Sequence, residues 1–314
     1  MVFTVVVRLF RHFSELTGDK KPLVMAIGVF DGVHLGHRAV IREAVRRARR
    51  LKGNAVVLTF HPHPAKILIP ELTPPLLTTE QQDDELFSNL DVDICLTLDF
   101  TPEFSRRTAR NFLKDLSGLT PALKAVVVGV DWHFGCDREG DFDLLREWGA
   151  KHRVETVEVP AVEVEDLVVS STLLRHLVAA GRISAVNARL GRPYQLMGRV
   201  VKGLGLATKL GFPTANLEVE NELIPAAGVY AGRVLVEGTV FAAAVNIGPR
   251  PMPKAPNAVL VEAHLLDFVG RLHGHHVRLD FLKRLRDRKH FDHVAKLRQQ
   301  IHQDIVEVHH LAHS

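Results

Sequence analysis

Two histidines three residues apart, His34 and His37, follow a short apolar run and stand at the start of a segment with helical periodicity. The apolar run covers residues 23–29, and apolar residues recur at steps of three and four between 40 and 51. Both imidazoles are therefore expected on one face of the first helical turn. Because backbone N–H groups at a helix start carry partial positive charge, this turn is suited to gripping a polyphosphate and stabilising charge that develops on it.

Glycines in the same segment would let phosphate oxygens approach the main chain closely. Taken alone, a glycine-rich turn between a strand and a helix is also common in parallel α/β folds without such a role. Segment 28–37, however, reads GVFDGVHLGH. It resembles the G-x-F-D-G-x-H-x-G-H signature of the nucleotidyltransferase superfamily, in the version found in bacterial flavin-adenylating enzymes. The resemblance implies catalytic roles for His34 and His37, and ATP contacts for Gly28, Phe30, Asp31, Gly32 and Gly36.

The first half of the chain alternates apolar runs with segments of helical pattern, which predicts a Rossmann-like α/β domain with a doubly wound parallel sheet. After the helix that follows His37, further helices are predicted to start at Thr79 and to cover residues 108–116. The predicted strands cover residues 3–10, 23–29, 55–60, 93–98 and 124–130.

Irregular loops follow three of these strands, at 30–37, 61–64 and 129–135, where such sheets bind their ligands. From the residues alone, the loop histidines could belong to a surface turn, and the aromatic residues of the third loop could be core. The runs TFHPHP and VGVDWHFG resemble the T-F-x-P-H-P and V-G-x-D-x-x-F-G elements of the same enzymes. This likeness implies an FMN or flavin site formed by His61, Pro62, His63, Asp131 and Phe134.

A further pattern begins with two serines, whose hydroxyl groups are suited to cap a helix. One turn later an arginine could neutralise a triphosphate. Segment 170–175, SSTLLR, resembles the S-S-T-x-x-R element of these adenylyltransferases, with Val169 in place of the usual isoleucine. The resemblance implies that Ser170, Ser171 and Thr172 bind ATP and that Arg175 holds the leaving pyrophosphate as a catalytic residue.

Beyond residues 181–193 the pattern changes to closely spaced strands separated by Gly or Pro turns, with one final helix. This arrangement predicts a small closed β-barrel with a C-terminal helix packed outside it. The predicted domains are therefore 1–186 and 187–314. The predicted strands of the second domain cover residues 195–202, 229–236, 239–247, 259–268 and 277–281.

Thr214 and Asn216 lie two residues apart on a segment predicted to be extended, so that both side chains point to one face. Both offer hard oxygen atoms that Mg²⁺ accepts together with phosphates and waters. The chain contains no P-loop, and the glycine pattern of a dinucleotide fingerprint is incomplete. Without further evidence, a plain turn is the preferred explanation of the sequence PTAN.

Segment 211–216, GFPTAN, resembles the hallmark of riboflavin kinases, and GVY, NIGPRP and VEAHLLD follow in that family's order. The resemblance implies that Glu262 is the catalytic carboxylate that accepts the proton of the attacking alcohol, with Mg²⁺ on Thr214 and Asn216. Departures from the family pattern at Met252, His273 and Arg288 bear on flavin affinity and nucleotide preference. Contacts to ATP or flavin are implied for Gly203, Gly211, Phe212, Pro213, Gly228, Tyr230 and Arg286.

Composition sets the broad class. A chain of 314 residues with 46% apolar residues and a net charge of +4 is long enough for two globular domains, and its charge does not call for a nucleic-acid partner. Two cysteines, Cys95 and Cys136, have no metal-ligand spacing and indicate reduced thiols. No signal peptide or membrane-length apolar run is evident, so a cytoplasmic protein is expected.

Across residues 23–304 the chain resembles the bacterial bifunctional riboflavin kinase/FAD synthetase family. The resemblance implies that the barrel phosphorylates riboflavin and that the first domain adenylylates FMN with a second ATP. Riboflavin, FMN and ATP are then the partners, with no nucleic acid or membrane, in a monomer or weak homo-oligomer. One alternative is an FMN adenylyltransferase whose barrel only binds flavin. Another is an RNA-associated protein, since paired histidines also occur in class I aminoacyl-tRNA synthetases, although a K-M-S-K-S-like loop is missing.

Overall fold

The structure, a computed structural model, describes residues 7–203, 208, 210–249 and 259–313. Residues 3–6 of the first predicted strand, and the motif residues Arg250, Pro251 and Met252, lie outside the described residues. The chain divides into two compact units. The first comprises residues up to Pro74 together with Glu80–Ser170, and the second comprises Pro75–Thr79 together with residues from Ser171 onward. The boundary at 186/187, which concerns where the two activities divide, stays a prediction.

The first unit alternates strands and helices along the chain. Its elements are β1 (Arg8–Phe10), β2 (Leu23–Ile27), α1 (Leu35–Arg50), β3 (Asn54–His61), α2 (Ala65–Leu68), α3 (Glu80–Ser88), β4 (Ile94–Asp99), α4 (Pro102–Ser105), α5 (Ala109–Ser117), β5 (Leu123–Gly129), α6 (Phe142–His152), β6 (Glu155–Val159), β7 (Glu163–Val164) and β8 (Leu167–Val168).

Six of these strands form one sheet in the order β1-β4-β3-β2-β5-β6, and every neighbouring pair is parallel. This confirms the predicted doubly wound α/β fold. From β2 the chain proceeds outward through β3 and β4 on one side and then through β5 and β6 on the other. The order therefore reverses between β2 and β5, which is where open sheets of this kind bind ligands.

The central strand β2 is apolar throughout because both faces of the sheet are covered. Alternate residues of a strand point to opposite faces. Leu23 and Met25 pack into a core with α5 and α6, while Val24 and Ala26 pack into a second core with α1. All five residues of β2 are buried, so burial fixes this strand at the centre of the sheet.

The second unit is a closed antiparallel barrel, and helices accompany its strands. Its strands follow one another around the barrel as β10-β13-β12-β11-β14-β9, which confirms the predicted barrel and C-terminal helix. The elements are α7 (Ser171–Ala179), α8 (Ile183–Leu190), β9 (Tyr194–Val201), β10 (Ala215–Val219), β11 (Gly228–Val236), β12 (Thr239–Pro249), β13 (Val259–Leu265), β14 (His276–Arg286) and α9 (Val294–His313).

Helices α7 and α8 belong to the core of the barrel unit although they precede its first strand. Leu174 and Val178 of α7 and Ile183 and Val186 of α8 lie in the same buried cluster as the strand residues. That cluster also contains Leu77 from the segment Pro75–Thr79. The apolar faces of both helices are thus buried in the barrel core.

Asp84 on α3 is expected to make stability depend on pH. Burial raises its pKa from 3.8 to about 6, and repulsion from Glu80 adds to the rise while Arg11 opposes it. The folded state therefore holds this proton more tightly than the unfolded state, and the charged carboxylate destabilises the fold as pH rises from about 4 to about 6. Asp84→Asn should raise the melting temperature at pH 7, and the gain should disappear by pH 4.

Calorimetry of both proteins across that pH range measures the difference. Glu85→Gln, an exposed change on the same helix, is the matched control and should leave the pH dependence of the melting temperature unaltered. An Asp84→Asn protein with the same melting temperature as the wild type at every pH would contradict the raised pKa of Asp84.

Candidate active sites

The first candidate site lies where β2 ends and α1 begins, at the point where the strand order reverses. The turn between them contains two left-handed residues, Gly32 at φ 82° and Val33 at φ 37°. His34 then caps the helix, because its Nδ1 accepts a hydrogen bond from the backbone N–H of His37 at 3.3 Å. An accepting Nδ1 carries no proton, so the N–H of a neutral His34 ring is at Nε2.

The two imidazoles face the same way, as their spacing predicts, and they form a stacked pair. The ring centroids of His34 and His37 are 3.6 Å apart and the planes differ by 22°. Phe30 meets the His37 ring edge-on at 5.3 Å and is itself only 3% exposed. The phenyl ring therefore supports the pair from the protein interior, while His34 and Asp31 are buried polar residues at 5% and 6% exposure.

Gly36 gives the His34 ring the room that this arrangement needs. A Cβ atom on Gly36 would lie 3.1 Å from Cε1 and 3.2 Å from Nδ1 of His34. It would also lie 3.7 Å from the carbonyl oxygen of Val169, so the chain just before Ser170 passes the same turn. Gly28 is similarly close to Phe30, since a Cβ there would be 3.0 Å from the phenyl ring.

The second and third predicted loops lie at the same edge of the parallel sheet. His61 ends β3 and is exposed, and Pro62 follows it through a cis peptide bond. His63 is half-buried, and its Nδ1 accepts a hydrogen bond from the Ala65 N–H at 3.2 Å at the start of α2. Their predicted contacts to FMN stay predictions.

In the third loop, Asp131 is exposed and Phe134 is buried at 8% exposure. The Phe134 ring stacks on Trp132 with centroids 4.5 Å apart and also packs on Phe112 of α5. Phe134 is thus part of the core behind the loop, which is the role that the residues alone allowed for the aromatic side chains of this loop.

The remaining residues predicted for adenylyl transfer follow at the start of α7. Ser170 is the last residue of the first compact unit, and Ser171, Thr172 and Arg175 belong to the second. Within the second unit, Arg175 is half-buried and its Nε donates a hydrogen bond to the Pro75 carbonyl oxygen at 2.9 Å.

The second candidate site lies on the outside of the barrel. In β10 and β13, the core takes alternate residues such as Ala215, Val261 and Ala263, so the residues between them face outward. Glu262 of β13 stands opposite Asn216 of β10 in the strand register. Asn216 is only 6% exposed.

A glycine also makes this site possible. A Cβ atom on Gly203 would lie 2.1 Å from Nδ2 of Asn216, so only glycine allows the segment after β9 to pass over this amide. The side-chain oxygens of Thr214 and Asn216 are hard donors of the kind that Mg²⁺ accepts together with phosphate oxygens.

The loop that carries Thr214 is fixed from two sides. Gly211 adopts φ 90°, and Phe212 is buried with its ring edge-on to His264 at 5.7 Å and to His302 of α9 at 5.2 Å. The His264 Nδ1–H donates to the carbonyl oxygen of Pro213 at 2.7 Å. The loop is thus held against β13 and the C-terminal helix.

Beside this loop is a cavity of about 270 Å³. Thr214 and Pro213 form one wall, and Phe268 and His273 belong to the segment after β13 that forms another. Lys202, another lining residue, supplies a positive charge. The pocket is therefore suited to an aromatic ring with a phosphate chain. Lys202 and Phe268 were not predicted, because neither falls within a recognised motif.

Three other predicted ligand contacts have structural roles in the barrel. Tyr230 is fully buried, and its hydroxyl donates to the Ala226 carbonyl. A Cβ on Gly228 would lie 2.9 Å from Nε of Arg284, so this glycine is closely packed. Arg286 forms a bidentate ion pair with Asp304 of α9, with N···O distances of 2.9 and 2.7 Å. Ligand contacts by these residues stay predictions.

The fold and sites define a two-part protein: a nucleotidyltransferase-like α/β unit with paired imidazoles, and a kinase-like barrel with a carboxylate. A family model described as FAD synthetase matches residues 16–173, and one described as riboflavin kinase matches residues 190–312. The chain belongs to the family of bifunctional riboflavin kinase/FMN adenylyltransferases.

Relatives with this name match nearly the whole chain. The protein of Pseudomonas fluorescens is 34% identical over 298 residues, covering 95% of this chain and 96% of its own length. That of Escherichia coli K12 is 33% identical over 299 residues, covering 95% of each chain. A solved structure described as a macrolide-efflux protein from Streptococcus pneumoniae has a TM-score of 0.87 at 27% identity, covering 97% of this chain and 99% of that one. No helix within the described ranges is long and apolar enough to cross a membrane.

Gly36→Ala is expected to impair the first site without unfolding the protein. The added methyl group would lie 3.1 Å from the His34 ring, which must then shift slightly. Because the rate depends on the orientation of the catalytic group, FAD formation should fall roughly two- to tenfold. Alanine favours helix, so stability should not fall. The rate of FAD formation from FMN and ATP measures the effect. Gly18→Ala, where a Cβ would meet nothing within 4 Å, is the control and should retain full activity.

Gly203→Ala is expected to impair the second site alone. The new Cβ would overlap the Asn216 amide, and either the segment after β9 or this amide must move. FMN formation from riboflavin should fall strongly, whereas FAD formation from supplied FMN should not change. Equal loss of both rates would contradict the separation of the two sites.

Proposed function

We propose that this chain phosphorylates riboflavin to FMN on the barrel and adenylylates FMN to FAD on the α/β unit, using one ATP in each step. The observation that carries the proposal is that the two sets of reactive side chains lie in different compact units, with the imidazole pair in one and Glu262 in the other. Membership of the family supports both activities.

In the kinase step, the 5′-hydroxyl of riboflavin attacks the γ-phosphorus of ATP, and ADP leaves. Glu262 accepts the hydroxyl proton as the new P–O bond forms. Thr214 and Asn216 would hold Mg²⁺, which when bound neutralises charge on the transferring phosphate. Thr214 directly follows Phe212 and Pro213, through which its loop is held against β13 and α9.

In the adenylyl transfer step, a phosphate oxygen of FMN attacks the α-phosphorus of the second ATP, and pyrophosphate leaves. No protein nucleophile is needed, since the FMN phosphate is already an anion. The Nε2–H of His34 and a ring N–H of His37 donate toward the negative charge that develops at the α-phosphate. Arg175 is proposed to hold the pyrophosphate, and Asp131 and the His61–Pro62–His63 loop to hold FMN.

Several finer points belong to the same proposal. The substrates are riboflavin, FMN and ATP, with Mg²⁺ as the metal, in a cytoplasmic monomer or weak homo-oligomer. The positive and apolar lining beside Lys202 and Phe268 is proposed to receive the nucleotide or flavin of the kinase step.

The direct test is incubation of the full chain with riboflavin, ATP and Mg²⁺, followed by chromatography that separates FMN from FAD. Both products are expected, and neither should form when EDTA replaces Mg²⁺. FAD from supplied FMN, without FMN from riboflavin, would instead favour an adenylyltransferase whose barrel only binds flavin. The change at His273, which lines the cavity, is the feature that makes this alternative worth testing.

Two substitutions should separate the activities. Glu262→Gln removes the proton acceptor and should lower FMN formation roughly 10²–10⁴-fold, the usual contribution of a general base, while FAD formation from supplied FMN persists. His37→Ala should do the reverse. Initial rates of each half-reaction measure the effect, and circular dichroism verifies folding. If either substitution lowered both rates equally in a folded protein, the division of labour would be wrong.

A further inference from the structure

A third polar residue shares the outer face of the barrel with the predicted kinase residues. Glu262 of β13 is opposite Asn216 on one neighbouring strand and opposite Asn246 of β12 on the other. Residues directly opposite in antiparallel strands have Cβ atoms about 4.5–5.5 Å apart and project to the same face. The three side chains therefore form a row across β10, β13 and β12.

Burial along β12 places Asn246 on the outside. Val245 and Ile247 on either side of it lie in the barrel core, so Asn246 points away from that core. It is half-buried, as is Glu262. The amide and the carboxylate are thus neighbours on a partly desolvated surface, where a hydrogen bond between them has a larger effect than in open solvent.

The side chains meet in a direct hydrogen bond. Nδ2 of Asn246 donates to Oε2 of Glu262 at 3.2 Å. A glutamate on a strand has three side-chain torsions, and one bond to Oε2 restricts the direction of the carboxylate. Oε1 is then left to accept a proton from an attacking alcohol.

We propose that Asn246 is a positioning residue for the kinase step, which holds Glu262 in the orientation that accepts the hydroxyl proton. This inference rests on the proposed function of Glu262. An amide suits the task because it donates without adding charge beside the carboxylate. An aspartate of the same size would remove the donor and repel Glu262.

Two variants of the full chain, Asn246→Ala and Asn246→Asp, test the role. Both should lower kcat for FMN formation roughly tenfold to a hundredfold, with the larger loss for Asp, because the general base is no longer aligned. KM for riboflavin and for Mg·ATP should change less than about twofold, since Asn246 acts through Glu262. Thr239→Ala, an exposed change at the other end of β12, is the control.

A double-mutant cycle separates positioning from a general structural effect. In a Glu262→Ala background, Asn246→Ala should cause little further loss of kcat. Melting curves report folding, and the isosteric Asp variant retains the packing if the Ala variant does not. Variants that keep kcat within about twofold of wild type, or an Ala effect of the same size in both backgrounds, would overturn the positioning role. A wild-type chain that forms no FMN would instead overturn the proposed function itself.

Discussion

At both candidate sites the main chain passes a polar side chain so closely that a Cβ atom would make that side chain or the backbone shift. At the first, Gly36 leaves space for the His34 ring over the start of α1. At the second, Gly203 leaves space for the Asn216 amide under the segment that follows β9. Close approach of this kind brings backbone dipoles and side-chain donors into one small volume, where charge on a phosphate can be stabilised.

The two sites offer opposite chemistry in keeping with their reactions. Under the proposed function, the α/β unit would present hydrogen-bond donors, namely the helix-start amides and the imidazole pair, to a phosphate attacked by an existing anion. The barrel presents a carboxylate, because an alcohol must lose its proton while it attacks. The two sets of side chains belong to different compact units, with His34 and His37 in the first and Glu262 in the second.

Much of this could be predicted from sequence because the evidence was local. The periodicity after His37 predicted α1, and the alternating apolar runs predicted the parallel sheet. Motifs identified Glu262 and Asn216 as candidate site residues. Pairing between distant strands was not local, so the bond from Asn246 to Glu262 could not be predicted without the register. Helix α6 was not predicted, although the sequence carried a signal for its start. Asp141 caps this helix by accepting a hydrogen bond from the Leu144 N–H at 2.9 Å.

Residues that look like ligand contacts by motif can also be structural. Arg286 lies on β14, which extends to His276–Arg286 where the sequence predicted only residues 277–281. Its guanidinium forms an ion pair with Asp304, a residue 18 positions later on α9. Sequence alone did not indicate this pair, because the two residues meet only once the C-terminal helix packs on the barrel.

Leu77, α7 and α8 all contribute to the barrel core, so the barrel unit is more than its strands and C-terminal helix. A fragment cut at the first barrel strand would lose the apolar side chains of Leu174 and Val186, and even one begun at Ser171 would lack Leu77. A barrel unit begun at either point would therefore expose to water an apolar surface that the intact chain buries.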